Sequence, residues 1–250
     1  MNQDLIGSEF RNEKVFWDGG NDTKEEYRRN IRKYGKTWEW KDVNIKYKYN
    51  SNGFRAPEFN TVDWANSIVI LGCSNVLGVG NLLEDSVPSV VEKLINIPTV
   101  NLGISGSAVD HACWNSLVLH ENYPHPKAIV QVWSSTQRYT DFLDVGMVRH
   151  DYPIFGVPMC PSNVQPRKSH YCAKHTWELR SKFYAFADRA LWKNKTLYYE
   201  ASFFKHSAEQ LEVPFIAEVD QARDYDHPGP KTCKLMAELI VENLKEQGIK

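Results

Sequence analysis

The chain has 250 residues, of which 42% are apolar and 24% are charged, and its formal net charge is −1. These proportions are typical of a globular protein, and they exclude a disordered chain, a collagen-like repeat and a small disulfide-dense domain. The near-neutral charge excludes a protein that binds nucleic acid non-specifically through an overall positive charge. No apolar run approaches the roughly 18 residues that a membrane helix needs, so we expect no membrane contact.

The cysteines and the amino terminus favour a cytoplasmic protein. The five cysteines are an odd number without a CxxC pair, which predicts reduced thiols. The first 15 residues contain three acids and no apolar core of a signal peptide. We therefore expect a cytoplasmic location, or a virion assembled there. Cys160, His170, Cys172 and His175 match no zinc-site spacing, so we expect neither a metal nor another cofactor.

Residues 1–65 differ from the rest of the chain. They are polar, rich in aromatic residues and poor in helical or strand periodicity, which predicts an irregular N-terminal extension wrapping the core. Between Lys24 and Lys48 basic and aromatic residues interleave, as they do on nucleic-acid-binding surfaces. Acidic residues are interspersed there and no known module pattern is present, so we favour a solvated extension with aromatic anchors and expect no nucleic-acid partner.

From residue 66 onward, predicted strands alternate with predicted helices in one domain, 66–250. Strands are predicted at 67–72, 98–103, 127–133 and 213–217, and helices at 87–95, from 107 onward, and at 176–191, 195–211 and 230–247. Apolar strands that alternate with helices predict a parallel sheet covered on both faces. We expect a three-layer α/β/α fold with a parallel, flavodoxin-like sheet. Residues 134–175 are a long Pro-rich insertion, either a lid or a static surface segment.

Ligands of such sheets bind beyond the carboxyl ends of the strands, which directs attention to four turns. After the first strand, Ser74 stands where a helix begins, so its hydroxyl is exposed among converging backbone amides. The neighbouring thiol of Cys73 is the rival nucleophile, but its side chain is expected to point into the core. After the second strand, Gly106 allows a backbone N–H to approach a substrate oxygen, and Gly103 is the alternative donor.

The third and fourth turns supply hydroxyls and an acid–base pair. Ser134 and Ser135 follow the third predicted strand. Beyond the fourth, Asp224 precedes His227 by three residues, and a carboxylate so placed orients an imidazole as a general base. Asp226 is the rival carboxylate, although adjacent side chains usually diverge.

These turns together resemble the SGNH (GDSL-like) hydrolase family. Gly72–Ser74 with Gly78 is similar to its block I, with Cys in place of Asp, and Asn101–Gly106 is similar to block II. Asp224 and His227-Pro228 are similar to block V. The Gly-x-Asn-Asp pattern of block III is not matched, since Trp133-Ser-Ser-Thr136 stands in its place. The resemblance covers residues 66–248, and residues 49–59 look like a segment that precedes block I in some members, including phage-borne ones.

The resemblance implies roles for individual residues. Ser74 would be the nucleophile that forms an acyl-enzyme, His227 the base, and Asp224 the group that fixes the histidine tautomer. The oxyanion would be held by the N–H groups of Ser74 and Gly106 and by a side chain from block III. In place of the missing asparagine the chain offers the hydroxyl of Ser135 or, next, that of Ser134.

The expected function is a serine esterase or deacylase that cleaves a small acyl ester, for example an O-acetyl group on a carbohydrate. Arg138 is a candidate to bind an anionic substrate group, with an ordinary ion pair as the alternative. The missing asparagine and the Cys73 replacement keep open a catalytically degenerate binding or structural protein, such as a glycan-binding or virion component. The sequence does not predict an oligomeric state.

Overall fold

We describe a computed structural model of the chain, which covers residues 5–18, 22–143, 146–151 and 174–249. Side chains are described except at 139–151 and 174–178. Most of the predicted 134–175 insertion therefore lies outside the described residues. So do the side chains that were considered as zinc ligands, those of Cys160, His170, Cys172 and His175.

The described residues contain the following strands and helices. The strands are β1 (Lys14–Val15), β2 (Tyr47–Lys48), β3 (Ile68–Gly72), β4 (Thr99–Gly103), β5 (Ala128–Trp133), β6 (Arg138–Leu143), β7 (Gly146–Asp151) and β8 (Leu197–Ser202). The helices are α1 (Lys24–Tyr34), α2 (Ser74–Leu77), α3 (Val87–Ile95), α4 (Val109–Asn122), α5 (Lys174–Trp192), α6 (Lys205–Leu211) and α7 (Pro230–Glu246). No helix in the described ranges is long and apolar enough to cross a bilayer.

The main sheet has four parallel strands in the order β4-β3-β5-β8. Residues alternate between the two faces of each strand, so every strand contributes to two cores. One core joins Ile70 and Val130 to α3 and α7, and the other joins Leu71 and Ile129 to α4 and Trp192 of α5. Helices thus cover both faces, which confirms the predicted three-layer α/β/α class with a parallel sheet.

The prediction of the fourth strand was wrong. Residues 197–202, predicted as the start of a helix, form β8 against β5, and the helix begins only at Lys205. Residues 213–217, predicted as the strand, contribute an isolated parallel bridge between Ser202 and Phe215. The error has a physical reason: Leu197 and Ala201 are four residues apart, and that spacing places two side chains on the same face of a strand as well as of a helix.

The N-terminal extension is more regular than predicted. It contains the eleven-residue helix α1, which begins after Thr23, whose hydroxyl accepts a hydrogen bond from the Glu26 N–H, and ends at Gly35. A third core buries Trp38, Trp40, Tyr47 and Tyr49 of the extension together with Leu77 and Val79 of the main domain, and Tyr225 packs against it. Trp38 and Trp40 are each 5% exposed. The extension therefore packs on the elements that follow β3 and on the loop before α7.

The insertion also begins with regular structure. β6 and β7 pair in an antiparallel hairpin from Arg138 to Asp151, where the sequence showed little periodicity. The expected lid role of residues 134–175 stays a prediction, since residues 152–173 lie outside the described part.

Gly103 shows how closely β4 approaches the turn after β3. A Cβ atom at this position would lie 2.3 Å from the backbone nitrogen of Leu77 and 2.8 Å from the carbonyl carbon of Val76. Backbone atoms cannot swing aside as a flexible side chain can. We expect Gly103→Ala to lower the free energy of unfolding by about 1–3 kcal/mol, the usual cost of overpacking. Urea unfolding of the variant measures this loss. Gly103 is not among the glycines with a positive φ, so the loss reports packing alone, and a variant as stable as the wild type would contradict the packing argument.

Candidate functional site

Ser74 is the first residue of α2, directly beyond the carboxyl end of β3. The helix is one turn long: the Ser74 carbonyl accepts hydrogen bonds from Gly78 N–H (3.0 Å) and Val79 N–H (3.1 Å). Gly78 ends it with a φ of +80°, a conformation that favours glycine. The Ser74 side chain has no hydrogen-bond partner among the described residues, and Cys73 is 1% exposed. The turn therefore holds a free hydroxyl, and the rival thiol lies in the interior.

The turn after β4 is hydrogen-bonded to the turn that contains Ser74. The Asn101 amide donates to the carbonyl of Val76 in α2 (3.1 Å) and its oxygen accepts from Gly103 N–H (2.9 Å). The Ser107 hydroxyl donates to the Gly72 carbonyl (3.0 Å). Between them Gly106 is buried and has a φ of +73°. Since Gly103 is fully explained by packing, Gly106 is the better candidate for a backbone donor.

Asp224 and His227 form a direct pair on the loop before α7. Oδ2 of Asp224 lies 2.5 Å from Nδ1 of His227, and Oδ1 accepts from the backbone N–H groups of Asp226 (3.1 Å) and His227 (3.2 Å). The carboxylate thus shapes the loop and orients the imidazole. The structure pairs His227 with Asp224, whereas Asp226 is an exposed residue.

This loop contacts the segment that follows Ser74. The Asn81 amide donates to the Pro228 carbonyl (2.8 Å), and a Cβ atom on Gly80 would lie 2.7 Å from Cβ of Ala222 and 3.2 Å from Oδ1 of Asp224. The two segments are therefore in van der Waals contact. Ser74 Oγ and His227 are not hydrogen-bonded to each other, and a hydrogen bond between a nucleophile and its base often forms only once substrate binds.

The environment of His227 favours its protonated form. Burial lowers the pKa of the imidazole, but the hydrogen bond and charge of Asp224, together with the charges of Asp226 and Asp18, outweigh burial and raise the pKa above 6.5. Because its pKa is raised, the imidazole accepts a proton readily, and the carboxylate of Asp224 stabilises the resulting positive charge.

Asp18 is a further candidate for the site, and the sequence reasoning missed it. Its carboxyl group is buried, and burial raises its pKa, opposed by interactions with Tyr49, Ser105 and His227. The Tyr49 hydroxyl donates to Oδ1, whereas Oδ2 has no hydrogen-bond partner among the described residues. A second carboxyl group therefore lies near both His227 and the turn of Gly106. It comes from the extension, where no spacing relative to the motifs could reveal it.

In the turn after β5, the two hydroxyls that are candidates for the oxyanion site, those of Ser134 and Ser135, differ in their hydrogen bonding. Ser135 Oγ lies 3.2 Å from Nε2 of His206 and accepts a hydrogen bond from Gln137 N–H (3.2 Å). Ser134 Oγ is buried without a partner among the described residues. The guanidinium of Arg138 lies over the Phe204 ring at 5.6 Å. The structure thus places Arg138 beside α6 and His206, and its expected role in substrate binding stays a prediction.

The arrangement suits nucleophilic catalysis. A hydroxyl at a helix start, an imidazole paired with a carboxylate, and backbone donors at a glycine turn are the parts that acyl transfer requires. Within the described residues no group of three or more His, Cys, Asp or Glu side chains is placed to hold a metal ion.

Comparison with known proteins gives structural matches alone. No family model and no curated protein matches the sequence. Its structural neighbours are family 2 carbohydrate esterases and lipolytic proteins of the G-D-S-L family. The neighbours described below share 10–12% of residues with this chain, a level at which likeness concerns the fold alone.

Three of these neighbours illustrate the match. A carbohydrate esterase family 2 enzyme with a carbohydrate-binding domain from Corynascus thermopiles (Myceliophthora fergusii) has 10% identity and a TM-score of 0.45, over 72% of this chain and 65% of that one. A carbohydrate acetylesterase family member from Sinorhizobium meliloti has 12% identity and a TM-score of 0.42, over 72% and 98%. A putative lipolytic G-D-S-L protein from Desulfitobacterium hafniense has 12% and 0.42, over 71% and 98%. The chain spans slightly less than two thirds of the family 2 structure.

Proposed function

We propose that this protein is a serine ester hydrolase with Ser74 as nucleophile, His227 as general base and Asp224 as the residue that orients it. The observation that carries the proposal is the 2.5 Å pair of Asp224 and His227 on a loop in contact with the segment that follows Ser74. That contact brings together groups from opposite ends of the domain.

The proposed reaction has two halves. His227 takes the proton of Ser74 as Oγ attacks the ester carbonyl, and the imidazolium is stabilised by Asp224. The tetrahedral intermediate collapses when His227 gives that proton to the leaving alcohol, which leaves an acyl-enzyme. Water, deprotonated by the same imidazole, then attacks the acyl carbon, and the carboxylic acid departs as Ser74 regains its proton.

The proposed oxyanion site uses the N–H groups of Ser74 and Gly106. One such donor is typically worth a factor of about 10²–10³ in kcat, so the absent block III asparagine is a real loss. The buried Ser134 hydroxyl is without a protein partner among the described residues and is available to compensate in part. Ser135 already accepts from Gln137 and is the second choice.

A small acyl group on a carbohydrate is the proposed substrate class. Ser74 is 6% exposed and the His227 side chain 12% exposed, so the site suits a short acyl chain. A separate cavity of about 260 Å³ lies between the extension and Arg223, and neither Ser74 nor His227 lines it, so it is not part of the proposed substrate site. Its lining is Phe16, Trp17, Tyr27, Lys41, Asp42, Val43, Asn44, Ile45 and Arg223.

Turnover and covalent labelling test the proposal together. The protein is incubated with p-nitrophenyl acetate and p-nitrophenyl octanoate, and separately with a fluorophosphonate whose attachment point is mapped by mass spectrometry. We expect faster release from the acetate and a label on Ser74. A folded protein that releases no nitrophenol and takes up no label would refute the assignment and support the degenerate, glycan-binding alternative. A glycan array then tests that alternative, with binding unaltered by Ser74→Ala.

The pKa of His227 predicts the pH dependence of the reaction. The base must be neutral, so kcat/KM falls as the pH drops through its pKa, with a midpoint above 6.5. The charged groups facing His227 are Asp224, Asp226, Asp18 and Glu218. Asp18→Asn removes one negative charge that stabilises the imidazolium, so the midpoint moves to lower pH.

Profiles of kcat/KM against pH measure this shift. Glu25→Gln is the matched control, because it neutralises an exposed carboxylate of the same extension. A midpoint that stays in place or rises in Asp18→Asn would show that the carboxylate does not act on His227.

A further inference from the structure

A buried ion pair joins the extension to the loop of the acid–base pair. Arg223, the residue before Asp224, donates from Nε to Oδ1 of Asp22 (2.9 Å) and from Nη2 to Oδ2 (2.7 Å). The two side chains are 3% and 2% exposed. Such a pair repays the cost of removing both charges from water only when its geometry is complete, and here it is bidentate.

The ion pair is part of a closed ring of hydrogen bonds. The Tyr47 hydroxyl donates to Oδ2 of Asp22 (2.5 Å) and accepts from the N–H of Gly80 (2.8 Å). The Gly80 carbonyl in turn accepts from the N–H of Arg223 (3.1 Å). The ring thus connects the extension, the segment that follows Ser74 and the loop of His227.

Three further contacts from the extension reach the same loop. The Asn30 amide donates to the Arg223 carbonyl and the Trp40 indole N–H to the Gln221 carbonyl, each at 3.3 Å. Tyr34 stacks on Tyr225 at 4.5 Å between ring centroids. Tyr225 has a φ of +59°, which a bulky side chain adopts only when its surroundings hold it there.

We propose that the extension is a working part of the active site, in which Asp22 and Tyr47 are positioning residues that hold the His227 loop in register with the Ser74 turn. The inference rests on the proposed function for its consequence in catalysis. Apolar packing alone tolerates small shifts, whereas a ring of directional hydrogen bonds fixes the relative position of the segments it joins. A displacement of about 1 Å between nucleophile and base lowers the rate by up to about 100-fold.

Tyr47→Phe tests this inference with the smallest change. It removes the hydroxyl from the ring and keeps the aromatic ring that packs against the Arg55 guanidinium at 4.7 Å. We expect kcat for p-nitrophenyl acetate to fall by about tenfold or more, with KM within about twofold of wild type, because the misplaced groups act on the chemical step. The labelling rate of Ser74 falls in parallel.

Tyr27→Phe is the matched control. The Tyr27 hydroxyl donates to the Lys41 carbonyl inside the extension and takes no part in the ring, so this variant should retain wild-type kcat. Equal losses in both variants, or an unaffected Tyr47→Phe enzyme, would overturn the proposal. Circular dichroism and thermal melting confirm that the variants compared are folded.

A second readout does not depend on turnover. The proton between Nδ1 of His227 and Asp224 gives a far-downfield NMR signal, which should shift or broaden in Tyr47→Phe and stay unchanged in Tyr27→Phe. An unchanged signal in both variants refutes the positioning role even if the wild type proves inactive. Conversely, a selective shift in a protein that never labels at Ser74 supports the positioning role and refutes the proposed hydrolase.

Discussion

Replacing Ser74 with alanine is expected to lower kcat for p-nitrophenyl acetate by a factor on the order of 10⁴–10⁶, the scale on which loss of a catalytic serine acts. Stability should change little. The hydroxyl has no hydrogen-bond partner among the described residues, so its removal breaks no bond that holds the turn. A large kinetic effect with a small thermodynamic one distinguishes a nucleophile from a structural helix cap.

Stopped-flow or plate kinetics together with urea unfolding measure both quantities. Cys73→Ala is the companion variant, since Cys73 is the rival nucleophile and is buried at the same turn. We expect it to lose some stability and to keep the fluorophosphonate label on Ser74. Turnover that survives in Ser74→Ala but vanishes in Cys73→Ala would transfer the nucleophile role to the thiol.

Replacing Arg223 with methionine is expected to lower the free energy of unfolding by about 3–5 kcal/mol, a large part of the roughly 5–15 kcal/mol that a domain has in total. The reason is the charge left behind: Asp22 is 2% exposed, and without the guanidinium its carboxylate stays buried and unpaired. The double variant Asp22→Leu with Arg223→Met removes both charges and should recover part of the loss.

Urea or thermal unfolding of the variants tests this prediction. Lys234→Met breaks an exposed pair with Glu238, at 3.7 Å with side chains 63% and 48% exposed. It should cost at most about 1 kcal/mol because water screens such a pair. Similar losses in Arg223→Met and Lys234→Met would mean that the Asp22 pair contributes no more than a surface contact.

Much of the fold and the candidate triad could be predicted from the sequence because both are encoded locally. The apolar run from Ser67 to Gly72 predicts a buried strand that ends just before Ser74, whatever the rest of the chain does. Asp224 and His227 are three residues apart, so their pairing needs one turn of loop and no knowledge of distant contacts.

The fourth strand could not be assigned because the local pattern is ambiguous there. Leu197 and Ala201 suit a helix and a strand equally. The choice is made by pairing with β5, a contact between residues about 70 apart in the chain, such as Ala128 and Leu197. Local periodicity carries no information about that pairing.

The role of the extension was missed for a different reason. Helix α1 packs on the third core through Tyr27, Ile31 and Tyr34, whose i, i+4, i+7 spacing was overlooked among the many charged residues around them. Its capping signals, Thr23 with Glu26 and the later Gly35, were present and would have predicted it. The nearness of Asp18 and Asp22 to the His227 loop, by contrast, is purely tertiary and has no signature in sequence spacing.

The ion pair between Asp22 and Arg223 also bears on how this chain can diverge. Its partners are 201 positions apart in sequence. Replacing either one alone by a neutral residue leaves the other as a buried, unpaired charge. Evolution must therefore alter the two positions together or leave both unchanged. A transplant of the histidine loop into another scaffold would fail unless the acid at the opposite end of the chain travelled with it.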